Sequence, residues 1–209
     1  MRALKLFSSL AIVLFVTGCA VGNQYDYQSA QVSLPLVGNG DVGLGVIDNR
    51  SYVLNGDKAP NFIGLQRGGF NNPFDVTTAS GKPLTEDMLD ALTDALTNSG
   101  FGVKKLNISS SSPVVVASVV MKEGQEKNIT LTVTDWKTDV FMKMTLHFDL
   151  LLQVFTKEGS VIASNQLRGK ELIGGGAFES QNSRAAASAF ETKIGRLFNS
   201  PNIIAALKE

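Results

Sequence analysis

The 209-residue chain holds one cysteine, Cys19, and one histidine, His147. A single cysteine has no intramolecular disulfide partner, and a free exposed thiol is a liability in an oxidising compartment. A single histidine cannot build a multi-histidine zinc site, and no second cysteine is there to help. Neither sign of charge dominates, since Lys+Arg and Asp+Glu each number 19. That balance lacks the basic stripe nucleic acid requires and the net charge that would draw the chain to an anionic membrane over long range. No Gly-x-Ser-x-Gly elbow occurs. A Ser-His-Asp site would have to use His147, and Asp149, two residues along the same strand, is poorly placed to orient it. Gly38-Asn39-Gly40-Asp41-Val42-Gly43 matches G-x-G-x-x-G but enters a strand instead of opening a helix. Gly81-Lys82 has Val76 where a phosphate loop needs its first glycine. The sequence therefore calls for no metal, no cofactor and no catalytic residue, and the expectation is a protein that is not an enzyme.

What is present begins at the N-terminus. Arg2 and Lys5 precede an apolar run from Leu6 to Val16, interrupted only by Ser8 and Ser9, and Thr17-Gly18 supply small residues before Cys19. Charge, greasy core and small-residue site in that order describe an export signal. The run is about half the roughly 20 residues of a spanning helix. Val16-Thr17-Gly18-Cys19 resembles the bacterial lipobox, with Val16 and Thr17 permitted rather than commonest choices. The resemblance implies cleavage after residue 18, multiple acylation of Cys19 and a membrane partner through that anchor. Ala20 follows the cysteine where an inner-membrane retention signal commonly has aspartate, so the expected location is the periplasmic side of the outer membrane. Removal of residues 1–18 takes away Arg2 and Lys5 and leaves 17 basic against 19 acidic side chains.

The remainder is one domain's worth of chain. Residues 19–40 are polar and turn-rich and read as a lipidated tether, with Tyr25, Tyr27 and the Val32–Val37 stretch able to dock locally. A single α/β domain is expected over 41–209. Asp41–Asp48 alternates as a half-buried strand, with Gly43 and Gly45 on one face, where another backbone or a ligand could approach closely. Residues 50–84 read as a long, turn-rich insertion carrying Tyr52, Phe62, Phe70 and Phe74 as apolar anchors, and Asn55-Gly56 suggests a small hairpin. Met88, Leu92, Ala95 and Leu96 make a helical stripe, with Thr85 as N-cap and Gly100 as stop. Pro113 suits a helix start although Val114–Val120 would suit a strand, and a helix to Glu123 is the preferred reading.

From Phe141 to Phe155 the alternation is continuous: Met142, Met144, Leu146, Phe148, Leu150, Leu152 and Val154 share one face, and Lys143, Thr145, His147, Asp149 and Gln153 the other. With Ile129–Val133 before it and Val161–Leu167 after it, this is an antiparallel meander with one buried side. Asp135 and Asp139 read as strand-end turn residues around Trp136, and Gly174-Gly175-Gly176 as a hinge or an anion nest. A helix over 183–198 and a short one after Pro201 close the chain. The expected fold is a two-layer α/β sandwich with a mixed sheet, a C-terminal antiparallel meander and helices covering one face.

The lipobox, the strand, the helix ending in Asn98-Ser99-Gly100-Phe101, the meander with Thr134-Asp135-Trp136 and the closing alanine-rich helix together resemble the small YajG-type lipoproteins of the bacterial outer membrane. The 50–84 stretch is long for that group, and the family lends no catalytic residues. The expected role is non-enzymatic: a binding or accessory subunit of an envelope assembly or transport system, whose partner is another envelope protein. The alternative is a small-ligand carrier or sensor. Arg67, Phe70 and Phe74, of residue types common at binding hot spots, are the expected contact residues.

Overall fold

The computed structural model describes residues 23–175 and 179–208. The export signal, Cys19 and Gly176 lie outside them. Thirteen elements follow in order: β1 (Gln24–Tyr25), β2 (Asp41–Asp48), α1 (Ser51–Leu54), β3 (Phe62–Arg67), β4 (Pro73–Thr78), α2 (Leu84–Asn98), β5 (Gly102–Lys105), α3 (Pro113–Glu123), β6 (Lys127–Val140), β7 (Met144–Thr156), β8 (Val161–Gly174), α4 (Glu179–Phe198) and α5 (Pro201–Lys208).

The fold is mixed α/β, built around one eight-stranded sheet whose spine is β6. One edge of β6 pairs antiparallel with β7 along its length, and β8 continues the meander. The other edge is shared. Its first half runs parallel to β2 and its last residues run parallel to β3. Thus β2 and β3 lie end to end along one neighbour, with α1 in the gap. Beyond β2 lies β5, and beyond β3 lie β4 and then β1.

One sheet face is covered by α2, α4 and α5, and the main core lies between them. The tyrosines at 25 and 27 are fully buried there. Tyr27, Trp136 and Phe190 meet edge to face with centroids 5.8–6.0 Å apart, a geometry worth about 0.5–1.5 kcal/mol per pair beyond area burial. Residues 23–40 therefore belong to the domain instead of forming a spacer, because Tyr25, Tyr27, Val32 and Leu36 supply apolar surface to its core.

Other expectations are corrected locally. Residues 50–84 form two strands of the sheet, not an external insertion. The hairpin is β3–β4, closed by residues 68–72, while Asn55-Gly56 ends the α1 turn. Pro83, not Thr85, precedes α2 as its cap position, and it offers no side-chain acceptor. Helix α3 forms as preferred, with Pro113 at its start. It packs on the sheet face opposite the other helices, where Val116 and Val120 meet Ile47, Leu106, Ile108 and Phe155. That second small core also answers the two-glycine face: a side chain at Gly43 would run into Leu106 and Asn128, and one at Gly45 into Ile108. The close neighbour there is the chain itself. Met142 leaves the buried face of the meander because β7 starts only at Met144, which puts Met142 in the turn, 79% exposed.

Candidate interaction surface

The half of the outer sheet face not covered by α3 is polar, and a single irregularity in β6 makes it so. Ile129, Leu131 and Val133 point into the core, so strict alternation would send Asp135 inward as well. The register with β7 shifts between Val133 and Asp135. A bulge of this kind reverses the parity beyond it. Trp136, Thr138 and Val140 are consequently buried, and Asp135, Lys137 and Asp139 emerge on the outer face. They are sheet residues, not the turn residues the sequence suggested.

Three rows cross that face. Asp135 pairs with Asp149, which pairs with Arg168; Lys137 with His147 and Lys170; Asp139 with Thr145 and Leu172. The first row would set two carboxylates side by side, but each has donors. Asp149 accepts from Gln166 Nε2 at 2.7 Å and Arg168 Nε at 2.8 Å. Asp135 accepts from the Tyr52 hydroxyl at 3.2 Å, and the same hydroxyl reaches the Trp136 carbonyl at 3.3 Å. Lys137 Nζ stands 5.2 Å from the Tyr52 ring centroid.

His147 sits between two lysines. Partial burial holds its pKa below the ordinary histidine value, Lys170 and Lys137 push the same way, and Asp135 and Asp139 oppose them. The imidazole is therefore neutral at pH 7. Asp149 gives its oxygens to Gln166 and Arg168, and the cross-strand neighbours of His147 are both lysines. This row is no nucleophile–base–acid relay. Among the described residues no group of three His, Cys, Asp or Glu side chains is arranged to hold a metal ion.

The structure separates the three expected contact residues. Arg67, at the end of β3, turns onto the polar face and meets Asp139 at two points, Nε to Oδ1 and Nη2 to Oδ2, both 2.7 Å. That hydrogen-bonded contact holds the Asp139 carboxyl below its ordinary pKa. Phe70 stands in the β3–β4 turn, 95% exposed, and Phe74 on β4 is 39% exposed. Neither is an anchor of the loop. Of the four aromatics expected to pin the 50–84 stretch, Phe62 does so from a buried position and Tyr52 from a half-buried one.

Sequence reading missed Arg50. Its side chain is fully buried, donates to both Asp48 oxygens and to the carbonyls of Pro60 and Phe62, and closes the gap between β2 and β3. A separate cleft of about 510 Å³ lies at the C-terminal ends of β2 and β5, where Val46, Leu89, Leu106 and Ile108 meet Asp48, Glu86 and Lys105.

No family model matches the sequence, and no curated protein matches it. Among solved structures the chain is similar to protein XCC0632 from Xanthomonas campestris, described under the family model DUF330, with a TM-score of 0.51, 14% identity, and 83% of this chain and 91% of that one covered. At that identity the likeness establishes a shared fold. Lipoprotein GNA1162 from Neisseria meningitidis also matches, over 76% of this chain and 99% of that one at 12% identity; its TM-score of 0.39 is too low to establish a common fold.

Proposed function

We propose that this chain is the precursor of a small bacterial envelope lipoprotein of the outer-membrane kind. It is lipidated on Cys19, faces the periplasm, and works without catalysis as a binding or accessory subunit of an envelope assembly or transport system. One relationship carries the reading: Val16-Thr17-Gly18-Cys19 closes an export-signal pattern, and the folded domain is already under way at Asn23, four residues later. So short a link holds the domain against the membrane that receives the lipid.

The polar sheet face is the surface offered to another envelope protein. It presents Lys137, His147 and Lys170 in one row, beside the Arg67–Asp139 pair. Paired charges on a rigid sheet favour orientation and partner choice over raw affinity.

The test has two arms. Cys19→Ser should abolish labelling by a fatty-acid probe and release the protein from the membrane fraction or leave it unprocessed. A Cys19→Ser protein that still labels and stays bound overturns the lipoprotein assignment. In intact cells, a photocrosslinker at position 137 or 170 should capture a discrete partner, and Arg67→Ala should weaken that capture without unfolding the domain.

The second reading, a small-ligand carrier, rests on the 510 Å³ cleft, whose size and mixed lining are within the range of ligand sites. Native mass spectrometry of protein purified from its own envelope would reveal a retained small molecule under this reading and none under the first.

A further inference from the structure

The strand register puts Phe74, Gln66, Val140, Met144 and Gly174 in one row across β4, β3, β6, β7 and β8. This row is the last that crosses all five strands, and only the Arg67–Pro73 pair lies beyond it. Past it lie the β3–β4 turn with Phe70 and the β6–β7 turn with Phe141 and Met142. Phe70 is 95% exposed, Met142 79% and Phe141 50%, and Leu172 and Phe74 beside them are 59% and 39% exposed. Single apolar side chains on a surface need no explanation. Five large ones gathered at one sheet end, two of them among the most exposed in the molecule, do need one.

The chain enters the domain at the same end. Strand β1 runs parallel to β4, with Gln24 opposite Thr77, so Asn23 lies on the Pro73 side of β1. The Asn23 side chain donates to Gln66 Oε1 at 3.3 Å and so reaches a residue of that row. Three residues lie between Cys19 and Asn23, and those four Cα-to-Cα steps reach at most about 14 Å. Pro73 lies four strand residues from Thr77, about 13 Å nearer the turn at the usual rise. The span is therefore long enough for an acylated Cys19 to stand at the level of the two turns. Lys143, exposed in the β6–β7 turn, adds a cation suited to phosphate headgroups.

We propose that this end of the sheet is a membrane-contacting rim. Phe70, Phe141 and Met142, flanked by Leu172 and Phe74, enter the interfacial zone of the leaflet that holds the Cys19 lipid, so that the domain stands on the bilayer in a fixed orientation. The proposal rests on the lipid-anchor reading. A lipid anchor alone would leave the domain free to swivel. A second, apolar contact beside it removes that freedom, and the strands then run away from the membrane with the polar face turned sideways to a partner.

The experiment uses the full chain in cell membranes. Phe70→Cys, Met142→Cys and Glu158→Cys are made singly, the last in the β7–β8 turn at the opposite end of the sheet, and each is labelled with a small fluorophore. Fatty-acid labelling of Cys19 is scored on the same samples, and its absence overturns the anchor reading independently. With the anchor present, labels at 70 and 142 should be quenched by a nitroxide on a phospholipid acyl chain and be several-fold less sensitive to aqueous iodide than the label at 158. Lipidated protein whose 70 and 142 labels respond to iodide like 158 overturns the rim. So do labels shielded from iodide yet untouched by the lipid quencher, because a second copy of the chain or another protein then covers this end. These positions are exposed, and the domain should fold alike in all three variants.

Discussion

Arg67 on β3 and Asp139 on β6, 72 residues apart, meet in a two-point contact in which Arg67, one residue past the last parallel pair, reaches back to a residue within the ladder. The ladder there is short, from Gly64 opposite Thr138 to Gln66 opposite Val140. A fork-shaped guanidinium fits a carboxylate on the polar face and marks the register at the ladder's end.

Asp139 should accordingly titrate below the ordinary aspartate value of about 3.9, and Arg67→Ala should return it upward. A lowered folded pKa gives stability that is present above the unfolded value and lost as pH falls through the folded one. Wild type should therefore exceed Arg67→Ala in melting temperature at pH 7 by a small margin, since both side chains are partly solvated. The margin should vanish once Asp139 is protonated. Carboxyl NMR titration of both proteins checks this, and coincident Asp139 midpoints would refute it.

His147 gives the opposite kind of signal. Its folded pKa is lowered by burial, then by Lys170 and Lys137. The unfolded chain then binds the proton more readily, so this residue costs stability as pH falls below about 6.5, the unfolded histidine value. Lys170→Ala should raise the imidazole midpoint, and His147→Gln should flatten the acid side of the stability profile between the two pKa values. A midpoint unmoved by Lys170→Ala would mean that the row Lys137–His147–Lys170 is not formed.

The elements legible in the sequence were those whose signal is local. Met88–Leu96 and Ala186–Leu197 carry helical stripes, and Met144–Val154 alternates without a break, so α2, α4 and β7 stand where periodicity put them. The α/β class followed. What escaped depended on remote pairing. Tyr25 and Tyr27 sit in a polar stretch, and the remote elements β4, β6 and α4 make a core for them. Strands β3 and β4 are six residues each and separated by a glycine- and asparagine-rich turn. Their stability comes from β6, far along the chain. The parity change from Val133 to Trp136 was visible as a break in alternation, but a bulge and a strand end look alike until the partner strand is known. Within the expected contact set, Arg67 was separable from Phe70 only once Asp139 was found on the outer face.

The meander permits a harsher test. Leu146 is fully buried and Phe148 nearly so, while His147 between them faces outward. Leu146→Ala should cost about 2–5 kcal/mol, and Leu146→Asp or Phe148→Asp should unfold the domain, because a buried unpaired carboxylate costs as much as a domain's whole stability. His147→Ala should change the melting temperature little. Urea denaturation followed by circular dichroism reads all four, and a Leu146→Asp protein as stable as wild type would place β7 wrongly.

Arg50 is the strongest test of how β2 and β3 are held end to end. Its guanidinium is fully buried and occupied on every side: Nε and Nη2 on Asp48 at 2.8 and 2.6 Å, Nη1 on the Phe62 carbonyl at 2.6 Å, and Nη2 also on the Pro60 carbonyl at 2.8 Å. The carbonyls belong to the first residue of β3 and to the segment just before it, and the carboxylate to the end of β2, so one side chain fastens both. Arg50→Met keeps most of the volume but strands a half-buried carboxylate and two carbonyls, and the expected loss is about 3–5 kcal/mol. Arg50→Lys restores one charge without the fork and should recover only part of it. Asp48→Ala combined with Arg50→Met should be less destabilised than Arg50→Met alone, because no unpaired carboxylate is left and the residual cost is that of the two carbonyls. Chemical denaturation of the single and double variants measures each term. An Arg50→Met protein within about 1 kcal/mol of wild type, the size of one ordinary hydrogen bond, would show that the joint between β2 and β3 is held by the backbone ladders of β6 and not by this side chain.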